Sequence, residues 1–189
     1  MLLLALAQCG TTVLPLSYAT PPGVAASGPA VVADVSGTDT RGESDPRWYG
    51  TIRGNYGNPL KTLDADRPIA EVAASAVRDG LAARGMTGRG GASPYDVRVT
   101  VRQFEADQVA RREARISLTM EWLRRGTGQV AFTNSGQADL VGGSIVTLEK
   151  GIFGSTDELQ SITARALSQA VDQALDDPAL HRFLASSPA

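Results

Sequence analysis

Few side chains in this chain are equipped for chemistry. Cys9 is its only thiol and His181 its only imidazole. A single cysteine forms no disulfide within the chain and no multi-cysteine metal centre, and a single histidine cannot build a histidine-rich one, so neither a metal nor a cofactor is expected. Cys9 closes the apolar run "MLLLALAQ", where a thiol suits the attachment of fatty acyl chains such as palmitate. His181 stands four residues after Asp177, a spacing at which a carboxylate orients an imidazole as a general base. No serine or cysteine nucleophile is placed to complete such a unit, and the competing reading is a surface histidine on a short amphipathic helix. Gly88, Gly90 and Gly91 mimic a phosphate loop. They follow a helix and precede a strand, however, which leaves no helix N-terminus to hold the anion. Arg111, Arg112 and Arg115, with Arg124 and Arg125, form two basic clusters bracketing one strand; the first of them, with Arg98 and Arg102 on the preceding strand, is a candidate surface-binding set for anionic lipid head groups or an acidic protein. The favoured reading is that they are solvated strand ends that deter edge-to-edge pairing. With no G-x-S-x-G elbow, P-loop, H-E-x-x-H or C-x-x-C in the sequence, no catalytic residues are expected and the chain does not read as an enzyme.

Composition sets the frame for these residues. A hydrophobic share of 42% with 20% charged residues is that of a globular chain. The net charge of −2 gives no electrostatic reason to bind nucleic acid. The opening segment is far too short for a membrane-spanning helix, which needs about 20 apolar residues. Leu6-Ala7-Gln8-Cys9 resembles a bacterial lipobox, cleaved just before a cysteine that carries lipid. Gln8 stands where a small residue is usual, and the leader has no basic start. A lipoprotein anchor, an ordinary signal peptide and a chance apolar start are the three readings. The first divides the chain into a signal peptide over residues 1–9, a Pro/Ala/Gly-rich tether over 10–29 and a folded domain over 30–189.

In the tether, Val13, Leu14, Leu16 and Tyr18 are apolar enough for part of it to lie along the domain as an edge segment, although Pro15 argues against a central strand. Ala30–Ser36 and Arg47–Gly54 read as strands, with Trp48 expected as a core anchor. A helix follows, capped by Asp66, opened by Pro68 and ended by Gly85. Its apolar stripe is Ile69, Val72, Ala73, Ala76, Gly80 and Leu81, with Gly80 letting the helix approach the sheet. Tyr95, Val97, Val99 and Val101 alternate with polar residues, as do Ile116, Leu118, Met120 and Trp122, which marks strands with one buried face. "EADQVARREA" between them reads as a long hairpin tip. A third strand holds Val130 and Phe132. Ser155 and Glu158 form a capping box for a helix whose apolar face runs from Leu159 to Leu175. Asp177-Pro178 starts a short terminal helix anchored by Leu180, Phe183 and Leu184. The fold class is α+β: a two-layer sandwich, mainly antiparallel, with two helices packed on one sheet face.

The lipobox-like start, the Pro-containing tether, "PIAEVAASAVRDGLAARGM", "YDVRVTVRQFEAD" and the closing "DDPALHRFL" resemble the YajG family of bacterial lipoproteins, over most of Ala30–Leu184. The resemblance implies a lipid-anchored envelope protein without assigned enzymatic activity, a non-enzymatic binding or scaffold module in the periplasm. Its partners would be the membrane, through lipid on Cys9, and an envelope protein. Only the lipidated cysteine carries over, onto Cys9. Gly10 rather than Asp after that cysteine implies the periplasmic face of the outer membrane, with periplasm or inner membrane as alternatives. Auxiliary lipoprotein subunits of ABC-type lipid transporters share a similar two-layer architecture and are the alternative function.

Overall fold

Alternation of apolar and polar side chains builds the centre of the sheet. In the computed structural model, which describes residues 10–54, 56–88, 93–109, 111–144 and 156–186, the strands are β1 (Gly10–Leu14), β2 (Val32–Asp39), β3 (Trp48–Arg53), β4 (Pro59–Ala65), β5 (Tyr95–Gln108), β6 (Arg111–Arg124) and β7 (Val130–Ser144). The helices are α1 (Ile69–Ala83), α2 (Thr156–Leu175) and α3 (Pro178–Ser186). The seven strands form one sheet in the order β1-β4-β3-β5-β6-β7, with β2 also paired to β5. The long β5–β6–β7 ladders and the β3–β4 pair are antiparallel. Beside them, β1–β4, β2–β5 and β3–β5 are parallel. Both α1 and α2 pack on one face of this α+β sandwich.

The sequence reading finds the central hairpin but misplaces its tip. The register slips between Val101 and Gln103, and this bulge moves the buried set from Tyr95, Val97, Val99 and Val101 to Phe104 and Ala106. The change of phase hides the strand. What reads as a long tip continues as β5 to Gln108 and resumes as β6 at Arg111. On β6 the alternation Ala114, Ile116, Leu118, Met120, Trp122 is unbroken and all five are buried.

Three further expectations are corrected. Part of the stretch over 10–29 does lie along the domain as the edge segment its apolar residues suggest, but the remainder is packed rather than a free tether. Strand β1 pairs with β4 at the sheet edge, Leu16 is buried, and the segment then crosses the helical layer. Gln160 on α2 donates to the Pro15 carbonyl at 2.6 Å, the Ala19 N–H donates to Ser168 Oγ at 3.0 Å, and the Gly28 N–H donates to the Arg84 carbonyl at 2.8 Å. Trp48 is only half-buried. Its β3–β4 pairing slips between Trp48 and Gly50, and the neighbouring Tyr49 takes the core position, edge-on to Phe104 at 6.4 Å. Asp66 does not cap α1. Pro68 holds the N-cap with no side-chain cap bond, and the first helical N–H, from Ile69, is accepted by the Pro46 carbonyl at 2.8 Å.

At the other end of α1, Gly85 sits at φ +71, the left-handed conformation that glycine reaches without Cβ strain. Met86 N–H donates to Leu81 O at 2.9 Å and Gly85 N–H to Ala82 O at 3.0 Å, which completes a Schellman motif. A Cβ on Gly80 would meet Val171 and Leu175 at 2.8 and 2.9 Å, so this glycine brings α1 against α2 rather than against the sheet. The close helix–sheet approaches occur elsewhere: Gly37 of β2 faces the Ala70 carbonyl and Gly136 of β7 faces the Ala170 carbonyl. Trp122 is a core anchor, its indole N–H donating to Asn134 Oδ1 at 3.2 Å, and Asn134 in turn donates to the Ala174 carbonyl near the end of α2 at 2.6 Å. Ser155 lies outside the described residues.

One fork in the sheet requires a special residue. Along a single edge of β5, β2 pairs as far as Val101 and β3 begins at Ala106. Arg41 spans the gap. Its Nη1 donates to the carbonyls of Trp48 at 2.8 Å and Phe104 at 3.1 Å, while Nε and Nη2 clasp the Asp39 carboxylate. A buried carbonyl left without a ladder partner is thereby satisfied.

Candidate functional site

The five arginines of the candidate surface set do not share one face. Arg98 and Arg115 lie on the sheet face away from the helices, whereas Arg112 shares the phase of Ala114 and Ile116 and turns to the helical side, pairing with Glu158 of α2 at 2.6 Å. Arg98 pairs across the ladder with Glu121 at 3.1 Å. Arg111 and Arg115 flank Glu113, and Arg115 also reaches Asp139 at 3.6 Å. The Arg111 hydrogen bond, aided by the charges of Arg111 and Arg115, holds the Glu113 carboxyl below the usual range against the opposing effect of desolvation. Arg102 is exposed at the β5 bulge and forms no ion pair among the described residues. Four of the five charges are therefore matched locally, and what the outer face presents is a charge-balanced polar surface.

His181 and Asp177 are both on α3 or its cap, but not as a pair. The Asp177 carboxylate accepts the Ala179 N–H at 2.8 Å and so caps the helix, and its main-chain carbonyl accepts the His181 N–H at 3.2 Å. The His181 side chain is exposed. It stands at the rim of a groove of about 670 Å³ between the crossing segment and α3, lined by Val24, Met86 and Leu184, with Arg84 and Asp176 among its polar walls.

Sequence reasoning missed Arg84. This residue at the C-cap of α1 is buried, and it gathers three elements. Its guanidinium makes a two-pronged contact with Asp176 at 2.8 and 2.9 Å, donates to Asp172 at 3.0 Å, and reaches the Tyr18 hydroxyl at 3.2 Å and the Gly80 carbonyl at 3.1 Å. Tyr18 donates to Asp172 at 2.7 Å. Burial opposes the arginine's charge, but its bonds to Asp176, Tyr18 and Asp172 outweigh it and hold the proton more firmly than usual. Burial and the Asp172 hydrogen bond raise the Tyr18 phenol, with Arg84 acting the other way. The cluster clips the crossing segment onto both helices.

A second concavity lies at the β1–β4–β3 end of the sheet. It holds about 210 Å³ and is lined by Thr11, Glu43, Ser44, Asp45, Trp48, Thr62 and Asp64. Register explains the set. Thr11 pairs with Thr62 and Trp48 with Asp64, all on the sheet face opposite Leu63 and Ala65, and the β2–β3 loop supplies Glu43 to Asp45. Asp64 is 4% exposed and its Oδ1 has no hydrogen-bond partner. Burial, with the Asp45 carboxylate, raises its carboxyl above the usual range, and Arg47 opposes them. Burial and then Asp64 also raise the phenol of the enclosed Tyr49.

Cys9, Gly90 and Gly91 lie outside the described residues. None of the described helices is long and apolar enough to cross a membrane.

With this geometry in hand, similarity places the architecture. No family model matches the sequence, and no curated protein matches it. Solved structures do. A Xanthomonas campestris protein of the domain family DUF330 superposes with TM-score 0.58 at 16% identity, over 86% of this chain and 90% of that one. An uncharacterized protein superposes with TM-score 0.53 at 13% identity, over 87% and 94%. These two share the fold. A candidate lipoprotein of Caulobacter crescentus CB15 reaches TM-score 0.43 at 20% identity, over 59% of this chain and 79% of that one, a level from which no common fold is drawn.

Proposed function

We propose that this chain is a lipid-anchored envelope protein of the YajG type, a non-enzymatic binding module held at the periplasmic face of the outer membrane by acyl chains on Cys9. The observation that carries the reading is the position of that cysteine. It ends a leucine-rich leader in a lipobox-like setting, and the next residue, Gly10, is the first of β1. An anchor there needs no spacer and brings the β1 edge of the sheet to the bilayer surface. Two acyl chains hold a protein stably where one does not, since each buried CH₂ contributes about 0.8 kcal/mol. The binding surfaces on offer are the α3 groove and the acidic cup; the Asp177 carboxylate is engaged in capping, which supports a surface role for His181. Replacing Cys9→Ala is expected to abolish fatty-acid labelling and release the protein into the soluble periplasmic fraction. Labelling and membrane association that survive the substitution refute the reading.

A further inference from the structure

Besides the Arg41 side chain, which clasps Asp39, two charged residues are buried as whole residues in the described part of the chain, and their surroundings differ. Arg84 meets two carboxylates. Asp64 forms no ion pair among the described residues, and its buried Oδ1 has no hydrogen-bond partner. A buried carboxylate in that state is costly unless something else supplies the counter-charge. The cup it lines also holds Glu43 and Asp45, and the charge of Arg47 acts on Asp64 against that of Asp45.

We propose that the cup binds an organic ammonium group, with Asp64 as its counter-ion and Trp48 as its aromatic wall. The lining is suited to that chemistry. Indole is the best of the aromatic partners for an organic cation, and the hydroxyls of Thr11, Ser44 and Thr62 accept N–H bonds. Among the described residues no three carboxylate, thiol or imidazole groups converge in the manner of a metal site. A volume of about 210 Å³ equals the liquid volume of roughly seven waters, room for an ammonium with a short alkyl arm. The amine can come from a lipid headgroup or from a free amine. Thr11 follows Cys9 by two residues, at most about 7 Å of extended chain, which favours the headgroup. That choice of source rests on the lipoprotein reading; the ammonium site itself does not.

The full-length chain in detergent solution provides the test. It has two tryptophans. Trp122 is fully buried with its N–H bonded to Asn134, so an amine entering the cup is read in Trp48 emission. Ethanolamine and phosphoethanolamine are titrated against sodium chloride of matched ionic strength. The amines are expected to give a saturable change that the salt does not. Trp48→Phe should silence it and Asp64→Asn should weaken binding at least about tenfold. Should Asp64→Asn fail to fold by circular dichroism, the double rim variant Glu43→Gln/Asp45→Asn carries the test, with about threefold weaker binding expected. Absence of saturation, affinity unchanged in the folded variants, or calcium binding that amines fail to displace overturns the proposal. Flotation of the unlipidated Cys9→Ala chain with phosphatidylethanolamine or phosphatidylglycerol vesicles then separates the sources. A preference for the former that Asp64→Asn removes supports the headgroup, and amine binding without that preference overturns the headgroup and leaves a free amine. Because amine binding is measured on Cys9→Ala as well, failure of the anchor and failure of the cup are separate results.

Discussion

Replacing Arg84 with methionine tests whether the buried cluster fastens the N-terminal segment to the helices. The two carboxylates it serves are unequal. The Asp172 side chain is 17% exposed and the Asp176 side chain 58%. Screening by water limits the Asp176 contact to about 0.5–1 kcal/mol. Loss of the arginine strands Asp172 with only the Tyr18 hydroxyl as a donor, and breaking a buried pair in this way costs about 3–5 kcal/mol. Methionine keeps much of the aliphatic packing, so the lower part of that range, about 3 kcal/mol, is expected. For a chain of this size that is roughly 6–12 °C in melting temperature. Asp176→Asn should cost less than about 1 kcal/mol. The double variant Arg84→Met/Asp172→Asn should recover part of the loss, because it no longer buries an unpaired charge. Thermal melts followed by far-UV circular dichroism give the numbers, and limited proteolysis within residues 19–28 reports release of the crossing segment. A shift below about 2 °C for Arg84→Met, or equal costs for the two aspartates, refutes the assignment of the burial energy to Asp172.

Three further outcomes follow from the same packing. Asp64 has a carboxyl raised by burial and by Asp45, so its contribution to stability is complete below its unfolded pKa of 3.8 and is lost as pH rises through the folded value. Asp64→Asn should accordingly stabilise the chain at pH 7 by about 1–2 kcal/mol, with the gain shrinking as pH falls toward 4 in urea titrations. Asp39 has the opposite sign: burial pulls its carboxyl upward, but the hydrogen bonds of Arg41 prevail and hold it low, so that stabilisation is present above pH 3.8 and lost as pH falls through the folded value. Arg41→Met, which also frees the Trp48 and Phe104 carbonyls, should lower stability at pH 7 by about 3 kcal/mol, seen as a lower urea midpoint. Gly136→Ala places a methyl against the Ala170 main-chain carbonyl, which cannot rotate away as a side chain would. We expect a loss of about 2–3 kcal/mol in thermal melts, while Gly126→Ala in open space should show only its left-handed backbone strain, about 1–2 kcal/mol.

What the sequence displays and what it conceals divide along physical lines. Helices α1 and α2 declare themselves because their stripes, from Ile69 to Leu81 and from Leu159 to Leu175, are long, apolar and regular, and every named position is buried. The β5–β6 ladder is legible until the bulge after Val101 changes its phase. Strand β4 is not legible: Leu63 and Ala65 are its only buried apolar residues and the residue between them is Asp64. Strand β1 is short, exposed and followed by Pro15, and its pairing with β4 is parallel, a contact between segments far apart in sequence that no local pattern encodes. The buried arginines are hidden for a related reason. Arg84 at a helix end and Arg41 in a polar loop have the spacing of surface residues. Only the tertiary structure brings Asp172 and Asp176 to the one and the Phe104 carbonyl to the other.

The treatment of charge across the molecule gives the acidic cup its weight. On the outer sheet face Arg98, Arg111 and Arg115 each meet a carboxylate, although exposed pairs contribute little to stability. In the interior, where an unmatched charge is far more costly, Arg84 and Arg41 are fully engaged. Asp64 stands apart from this pattern among the buried charges, and a leucine or threonine would fit the half-polar β4 strand at no electrostatic cost. A fold that pairs Arg98, Arg111 and Arg115 on its surface but keeps one buried carboxylate without an ion-pair partner beside Trp48 has given up stability at that position. The proposed exchange is specific: Asp64→Asn should gain stability and lose ammonium binding together. A variant that gains stability and binds ethanolamine as before would separate the two and remove the reason for the site.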